Sequence, residues 1–396
     1  MINKLKDYIS RFLKSNGYEL KKLDHNHQLL LNNVFSTDNT KKVLISYLTT
    51  PFTSAITLSH TNLTECYTAA EIFRDLGFNV DVVDLNASIN IDYSQYEIVY
   101  GQGNMYEKAF ESPSAHALNK IYYGTGNNPF FYYLEAGKKL HEFYTDKKKF
   151  IPESCRLIGK SNSLPTTNSD AIICLGNDFC KKTYTSITPY IPIFNLNAFY
   201  FETVKMGTIK RNITSSRKNF LWFGSGGLIT KGLADCIDFF SESDEYNLHI
   251  CGATPSERRF WEIYNPILKK HNNIINHGFI NLKSEKFLEI INQCSFAIFP
   301  SVSEGGSPSL LNLMANGGLI PIATEACSVD IDQFGFILED SSVASIKKII
   351  RKLDMFSDEQ LEKKSIKVQE YTRENYTFDN YKKNLRSHIE SCLLTQ

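Results

Sequence analysis

Phe299-Pro300-Ser301-Val302-Ser303-Glu304-Gly305-Gly306-Ser307-Pro308-Ser309-Leu310-Leu311-Asn312-Leu313-Met314-Ala315-Asn316-Gly317-Gly318 joins an apolar run to a loop of small residues and then to an apolar helical pattern. The apolar run, Ser295 to Phe299, predicts a strand closed by Pro300. Ser307-Pro308 reads as a helix start, with Ser as N-cap and Pro at the first helical position. The helix should run to about Asn316 and stop at Gly317-Gly318, because glycine accepts the left-handed conformation that ends helices. Leu319 to Ala323 predicts the next strand. Strand, loop, helix and strand in that order form the unit of a parallel sheet.

This loop has the means to hold a ligand. Gly305 and Gly306 let the backbone come close to it. The helix start around Ser307 and Ser309 offers unpaired N–H groups and a partial positive charge, which suit a phosphate. Glu304, at the mouth beside Ser301, can accept hydrogen bonds from sugar hydroxyls. An ordinary strand-to-helix loop with an incidental Glu fits the same residues.

A second glycine-bearing loop precedes it. Phe220 to Phe223 predicts a strand, followed by Gly224-Ser225-Gly226-Gly227-Leu228-Ile229-Thr230-Lys231-Gly232 and a helix to about Phe240. Backbone N–H groups plus one lysine at a helix start make a phosphate grip. The absence of Gly-Lys-Ser/Thr excludes a Walker loop. A surface lysine is the alternative. Asn247 to Cys251 predicts a strand ending at Gly252, and Asn273 to Asn276 one ending in His277-Gly278-Phe279. Helices are expected over 258–270, 284–293, 341–351, 358–371 and 377–393.

The first half repeats the alternation. Strands are expected at 42–48, 78–83, 97–100, 120–123, 170–175 and 191–196, with helices at 62–76, 130–144 and 179–184. No GxGxxG links strand to helix, which argues against a dinucleotide enzyme. His60, Asn62 and Glu65 cluster at a helix start, where Asn62 and Thr64 also suit as caps. The strands near 100 and 123 both end in glycine-rich turns, the second carrying Thr125, Gly126 and Asn127. Open parallel sheets bind ligands beyond the carboxyl ends of their strands, so these turns predict one wall of a cleft. Residues 2–15 pattern as a basic amphipathic helix, which would pack on the domain or lie on an anionic membrane.

A chain of 396 residues accommodates two full cores. Its formal net charge of zero gives no general field for nucleic acid. No apolar run reaches the roughly 18 residues of a spanning helix, and the charged stretch 1–17 does not read as a secretory signal. The nine cysteines are scattered without a CxxC pair, which predicts buried free thiols in a reducing cytoplasm and no zinc site.

The run around Glu304 resembles the donor-sugar loop of the retaining family 4 glycosyltransferases, a GT-B family. Glu304 matches the first Glu of the family motif, Gly305 the next glycine and Ser307 the second. Asn312 stands where a second Glu contacts the nucleotide ribose. Lys231 matches the lysine that binds the donor diphosphate, and Gly226 stands where many members carry a second basic residue. The resemblance implies two Rossmann-like α/β domains with doubly wound parallel sheets facing across a cleft. Residues 1–200 would form the acceptor side, 201–375 the donor side, and 376–396 a helix returning to the first domain. It implies donor contacts from Gly224, Ser225, Gly226, Lys231, Gly252, Phe279, Ser301, Gly305, Gly306, Ser307, Ser309 and Asn312. It makes Glu304, Lys231 and His60 the catalytic candidates, and Asn62, Glu65, Thr125, Gly126 and Asn127 the acceptor-side candidates. The expected reaction moves a sugar from a nucleotide-sugar to a glycan or lipid-linked acceptor, as in bacterial surface polysaccharide synthesis. No metal, separate cofactor or nucleic acid is expected; the location would be cytoplasmic, with contact at the inner membrane as an option. A GT-B protein that binds sugar nucleotide or a partner without transfer is the alternative, and an epimerase or phosphorylase on the same fold is a further one.

Overall fold

A computed structural model describes residues 29–156 and 163–394 of the chain. The amphipathic helix expected over 2–15 lies outside the described residues. The first sheet contains β1 (Leu30–Leu31), β2 (Lys41–Tyr47), β3 (Phe78–Asp84), β4 (Ile98–Gly101), β5 (Asn119–Gly124), β6 (Ala171–Leu175) and β7 (Ile193–Leu196). Their order is β1-β3-β2-β4-β5-β6-β7. Every pairing is parallel except β1 on β3. From Val43 to Tyr47 β2 is buried throughout, as a central strand covered on both faces must be. The two-residue β1 was not expected, because so short a strand has no alternation to read.

The second sheet contains β8 (Asn219–Phe223), β9 (Asn247–Cys251), β10 (Ile274–Gly278), β11 (Phe296–Phe299), β12 (Ile320–Thr324) and β13 (Phe336–Leu338). It is parallel throughout, in the order β10-β9-β8-β11-β12-β13. The order reverses between β8 and β11, where helices leave to opposite faces and a crevice opens. The two glycine-bearing loops follow these two strands. In the first sheet the reversal lies between β2 and β4, above which the loop carrying His60 passes.

The helix Phe378–Leu394 lies on the first sheet although it follows the second in sequence. Its Tyr381 hydroxyl is 3.1 Å from that of Tyr123, Cys392 O accepts from Asn119 Nδ2 at 3.2 Å, and Lys382 pairs with Glu71 at 3.1 Å. All nine cysteines are buried, and none is joined in a disulfide. Burial pushes the thiols of Cys66 and Cys155 up to about 12 and that of Cys327 up to about 11. No described helix is long and apolar enough to cross a membrane.

Candidate active site

The loops after β8 and β11 are tied together by backbone before any side chain is considered. Val302 N–H donates to Thr230 O at 2.9 Å, and the Trp222 indole donates to Lys231 O at 3.0 Å. Gly232 has φ +69°, and a Cβ there would lie 2.3 Å from Pro300 O. Only glycine permits that approach. The result is that Lys231 Nζ meets Glu304 Oε1 in a hydrogen-bonded ion pair. The side chains are 7% and 14% exposed. Ser301 Oγ lies 3.2 Å from the same carboxylate oxygen, and the Phe299 ring centroid 5.6 Å from Nζ. Burial pulls the Lys231 ammonium below the usual lysine range; Glu304 opposes that shift, and Arg156 adds to it.

The first half closes over this pair. A Cβ on Gly305 would lie 2.1 Å from Thr125 O and 2.9 Å from Gly126 Cα. Glycine at 305 is thus what lets the turn after β5 touch the loop after β11. Asn127 spans the seam: its Nδ2 donates to Ser303 Oγ (3.1 Å) and Ala326 O (3.0 Å), and its Oδ1 accepts from Ser328 Oγ (2.9 Å). His60 is exposed at the cleft. Desolvation first, then the Arg156 and Lys231 charges, hold its imidazole below the usual value, with Glu304 acting the other way. Its Nδ1 accepts from Asn62 N–H at 3.3 Å. The neutral ring then carries its proton on Nε2 and offers a donor rather than a base.

Several expected site residues turn out to be committed elsewhere. Glu65 is buried, accepting from the Tyr47 and Tyr123 hydroxyls at 3.1 Å each. Burial raises its carboxyl above the usual range, against the pull of hydroxyls from Thr61, Tyr123 and Tyr47. It stands beneath the cleft, not in it. Thr61, not Asn62, occupies the N-cap of its helix. Asn127, expected on the acceptor side, spends three hydrogen bonds on the seam. Gly224 N–H completes the sheet to Cys251 O (3.1 Å). The amides of Gly227 and Leu228 are filled by the buried Glu257 carboxylate at 2.5 and 3.1 Å. A nest expected to take phosphate therefore holds a carboxylate of the chain itself. Ser307 adopts φ +38° and does not cap; its Oγ donates to Cys327 O at 2.8 Å. Asn312 is also buried. Its Oδ1 accepts from Phe201 N at 2.9 Å, and its Nδ2 donates to Pro308 O at 2.9 Å. Asn316, one turn on, accepts from Thr203 and Val204 amides at 2.9 and 3.0 Å. The pair fastens the segment between the sheets to the helix Pro308–Gly317, and Asn312 is buried in that contact.

Phe279 is 76% exposed after Gly278, and Gly252 sits against Gly224, where a Cβ would lie 2.5 Å from Gly224 O. Arg156 was missed by sequence reasoning: its Nη2 is 3.2 Å from Ser225 Oγ. No local pattern marks it, since it arrives from the other half of the chain. A separate cavity of about 500 Å³ lies behind Ser301 and Val302. It presents the carboxylates of Glu135, Glu142, Glu325, Glu339 and Asp340 against two lysines, a balance that repels a diphosphate.

No protein-family model matches the chain, and no curated protein matches it. Solved structures do. Sucrose-phosphate synthase from Thermosynechococcus elongatus superposes with a TM-score of 0.60 at 10% identity, over 90% of this chain and 100% of that one. This is the GT-B fold. HepE of Anabaena, solved with UDP and glucose, gives 0.55 at 11% identity over 90% and 100%. The lipopolysaccharide outer core galactosyltransferase WaaB gives 0.53 at 16% identity over 89% and 99%. Two TarM structures also align, but the GT-B chain described here spans only 55% and 54% of their length.

Proposed function

We propose that the protein is a glycosyltransferase that moves a sugar from a nucleotide-sugar to a glycan or lipid-linked acceptor. We further propose retention of anomeric configuration, no metal requirement, and a role in bacterial surface polysaccharide synthesis. The observation that carries the reading is the Lys231–Glu304 contact at the switch point between β8 and β11, facing the first half across the cleft. HepE, on the same fold, is solved with UDP and glucose.

In this reading the bond from the anomeric carbon to the diphosphate oxygen breaks, and its electron pair leaves on the diphosphate. The Lys231 ammonium and the N-terminus of the helix Pro308–Gly317 stabilise that charge. Glu304 accepts hydrogen bonds from the sugar hydroxyls and orients the ring. The acceptor hydroxyl oxygen forms the new bond, and its proton passes to the departing phosphate oxygen. Contact of the Thr125–Gly126 turn with Gly305 keeps water from the donor.

The test is hydrolysis and transfer measured across UDP-, GDP-, ADP- and CMP-sugars. One donor should be consumed, and Lys231→Ala and Glu304→Ala should each abolish consumption. The commitment of Asn312 to the backbone favours a second reading, a protein that binds nucleotide without transfer. Tight nucleotide binding with no turnover for any donor and acceptor would establish that reading instead.

A further inference from the structure

The loops of the second half do not by themselves make a cationic site. Lys231 is neutralised by Glu304, and the Gly227 and Leu228 amides already hold Glu257. One cation and two carboxylates leave a net negative patch where a diphosphate must bind. The missing charge stands on the other side of the cleft. Arg156 Nη2 reaches Ser225 Oγ at 3.2 Å. Its Cγ and Cδ lie 3.1 Å from where a Cβ on Gly227 would stand, and its Nε lies 4.0 Å from the same point on Gly226. A side chain at 227 would crowd the Arg156 stem, and glycine there leaves it room.

The segment that delivers Arg156 is built onto the loop it serves. Ile229 N–H donates to Ser154 O at 3.0 Å. The Tyr132 hydroxyl donates to Cys155 O at 2.6 Å, and Arg259 Nη2 to Phe150 O at 2.6 Å. Arg156 itself has φ +49°, a left-handed conformation that costs a non-glycine residue about 1 kcal/mol or more. Among the described residues its guanidinium meets the neutral hydroxyl of Ser225 and no carboxylate. Its charge also acts on both His60 and Lys231.

We propose that Arg156 is the second phosphate-binding cation of the donor site, supplied by the first half of the chain and exchanging Ser225 for the diphosphate. A guanidinium binds phosphate oxygens in pairs where a lysine acts as a point charge. The diphosphate would then be gripped from both sides, by Lys231 below and Arg156 above, and binding would draw the halves together.

This rests on the sugar-nucleotide reading, and calorimetric titration separates the two. UDP, GDP and ADP are titrated, with the parent nucleosides alongside, into the full-length protein and its Arg156→Ala and Arg156→Lys variants. The diphosphate that wild type binds should weaken about ten- to a hundredfold in Arg156→Ala. Arg156→Lys should recover part of the loss, and nucleoside affinity should not change. Arg156 is exposed, so both variants should melt with the wild type. Equal loss for diphosphate and nucleoside, or no loss, overturns the assignment to Arg156 while leaving the donor site standing. Wild type that binds none of the three overturns the donor-site reading, and the proposal with it.

Discussion

Glu304 and Lys231 hold each other in a place with little water, so changing one alters what the other can do. Glu304→Gln keeps the size of the side chain but frees the lysine charge. Nucleoside diphosphate affinity should stay equal or rise, while transfer falls about a hundredfold or more because the sugar hydroxyls lose a charged acceptor and meet an amide instead. Titration calorimetry beside steady-state kinetics checks this, and parallel loss of both would refute it. Asn312 supports a prediction of the opposite kind. Placing a carboxylate there with Asn312→Glu removes the donor to Pro308 O and buries a charge against a carbonyl. Stability should drop by about 3 kcal/mol with no gain in nucleotide affinity. A urea midpoint unchanged from wild type would show that residue 312 can face the cleft.

At the scale of elements, β9 and β10 carry His249 and His277, whose rings stack 5.2 Å apart with Nδ1 and Nε2 separated by 3.0 Å. Burial, then the His277 charge, presses His249 down to about 4, and burial also lowers His277. Below pH 6.5 the unfolded chain takes up these protons and the folded one does not. The contribution is therefore whole above pH 6.5 and is lost as the pH falls toward 4, by on the order of 3 kcal/mol for His249. Urea unfolding at pH 7.5 and pH 5 should show the fall, and His249→Gln should show less of it. The strands themselves were legible because a parallel sheet covered on both faces needs near-continuous apolar runs such as Val43–Ile45 and Phe296–Phe299. Only β1 and β13 escaped, at two and three residues too short for any period. The two loops were legible for the same local reason, since glycine, lysine and glutamate stand beside strand ends. What stayed hidden depended on distant partners. Glu257 filling the amide nest, Arg156 crossing from the other half, and Asn312 turning to Phe201 are each contacts between segments far apart in sequence.

For the whole molecule, the seam between halves decides whether a donor would meet water. Asn127 contributes three hydrogen bonds there, worth about 1 kcal/mol each. Asn127→Ala should open the cleft, seen as a larger radius of gyration by small-angle scattering and as a higher ratio of donor hydrolysis to transfer. Gly305→Ala should do the same through a clash with Thr125 O that cannot be relieved while the halves touch. Unchanged scattering in both variants would mean that the seam is held by other contacts, such as the Lys139–Asp235 pair at 2.7 Å.

The thiols give a way to time that opening. With every cysteine enclosed, a sulfhydryl dye added to the native protein has nothing on the outside to react with. Cys155 and Cys327 flank the seam, whereas Cys174 sits within β6 and Cys294 at the buried end of the helix Glu285–Gln293. The order in which they acquire label should distinguish a molecule that parts its halves from one that unravels, without any engineered reporter.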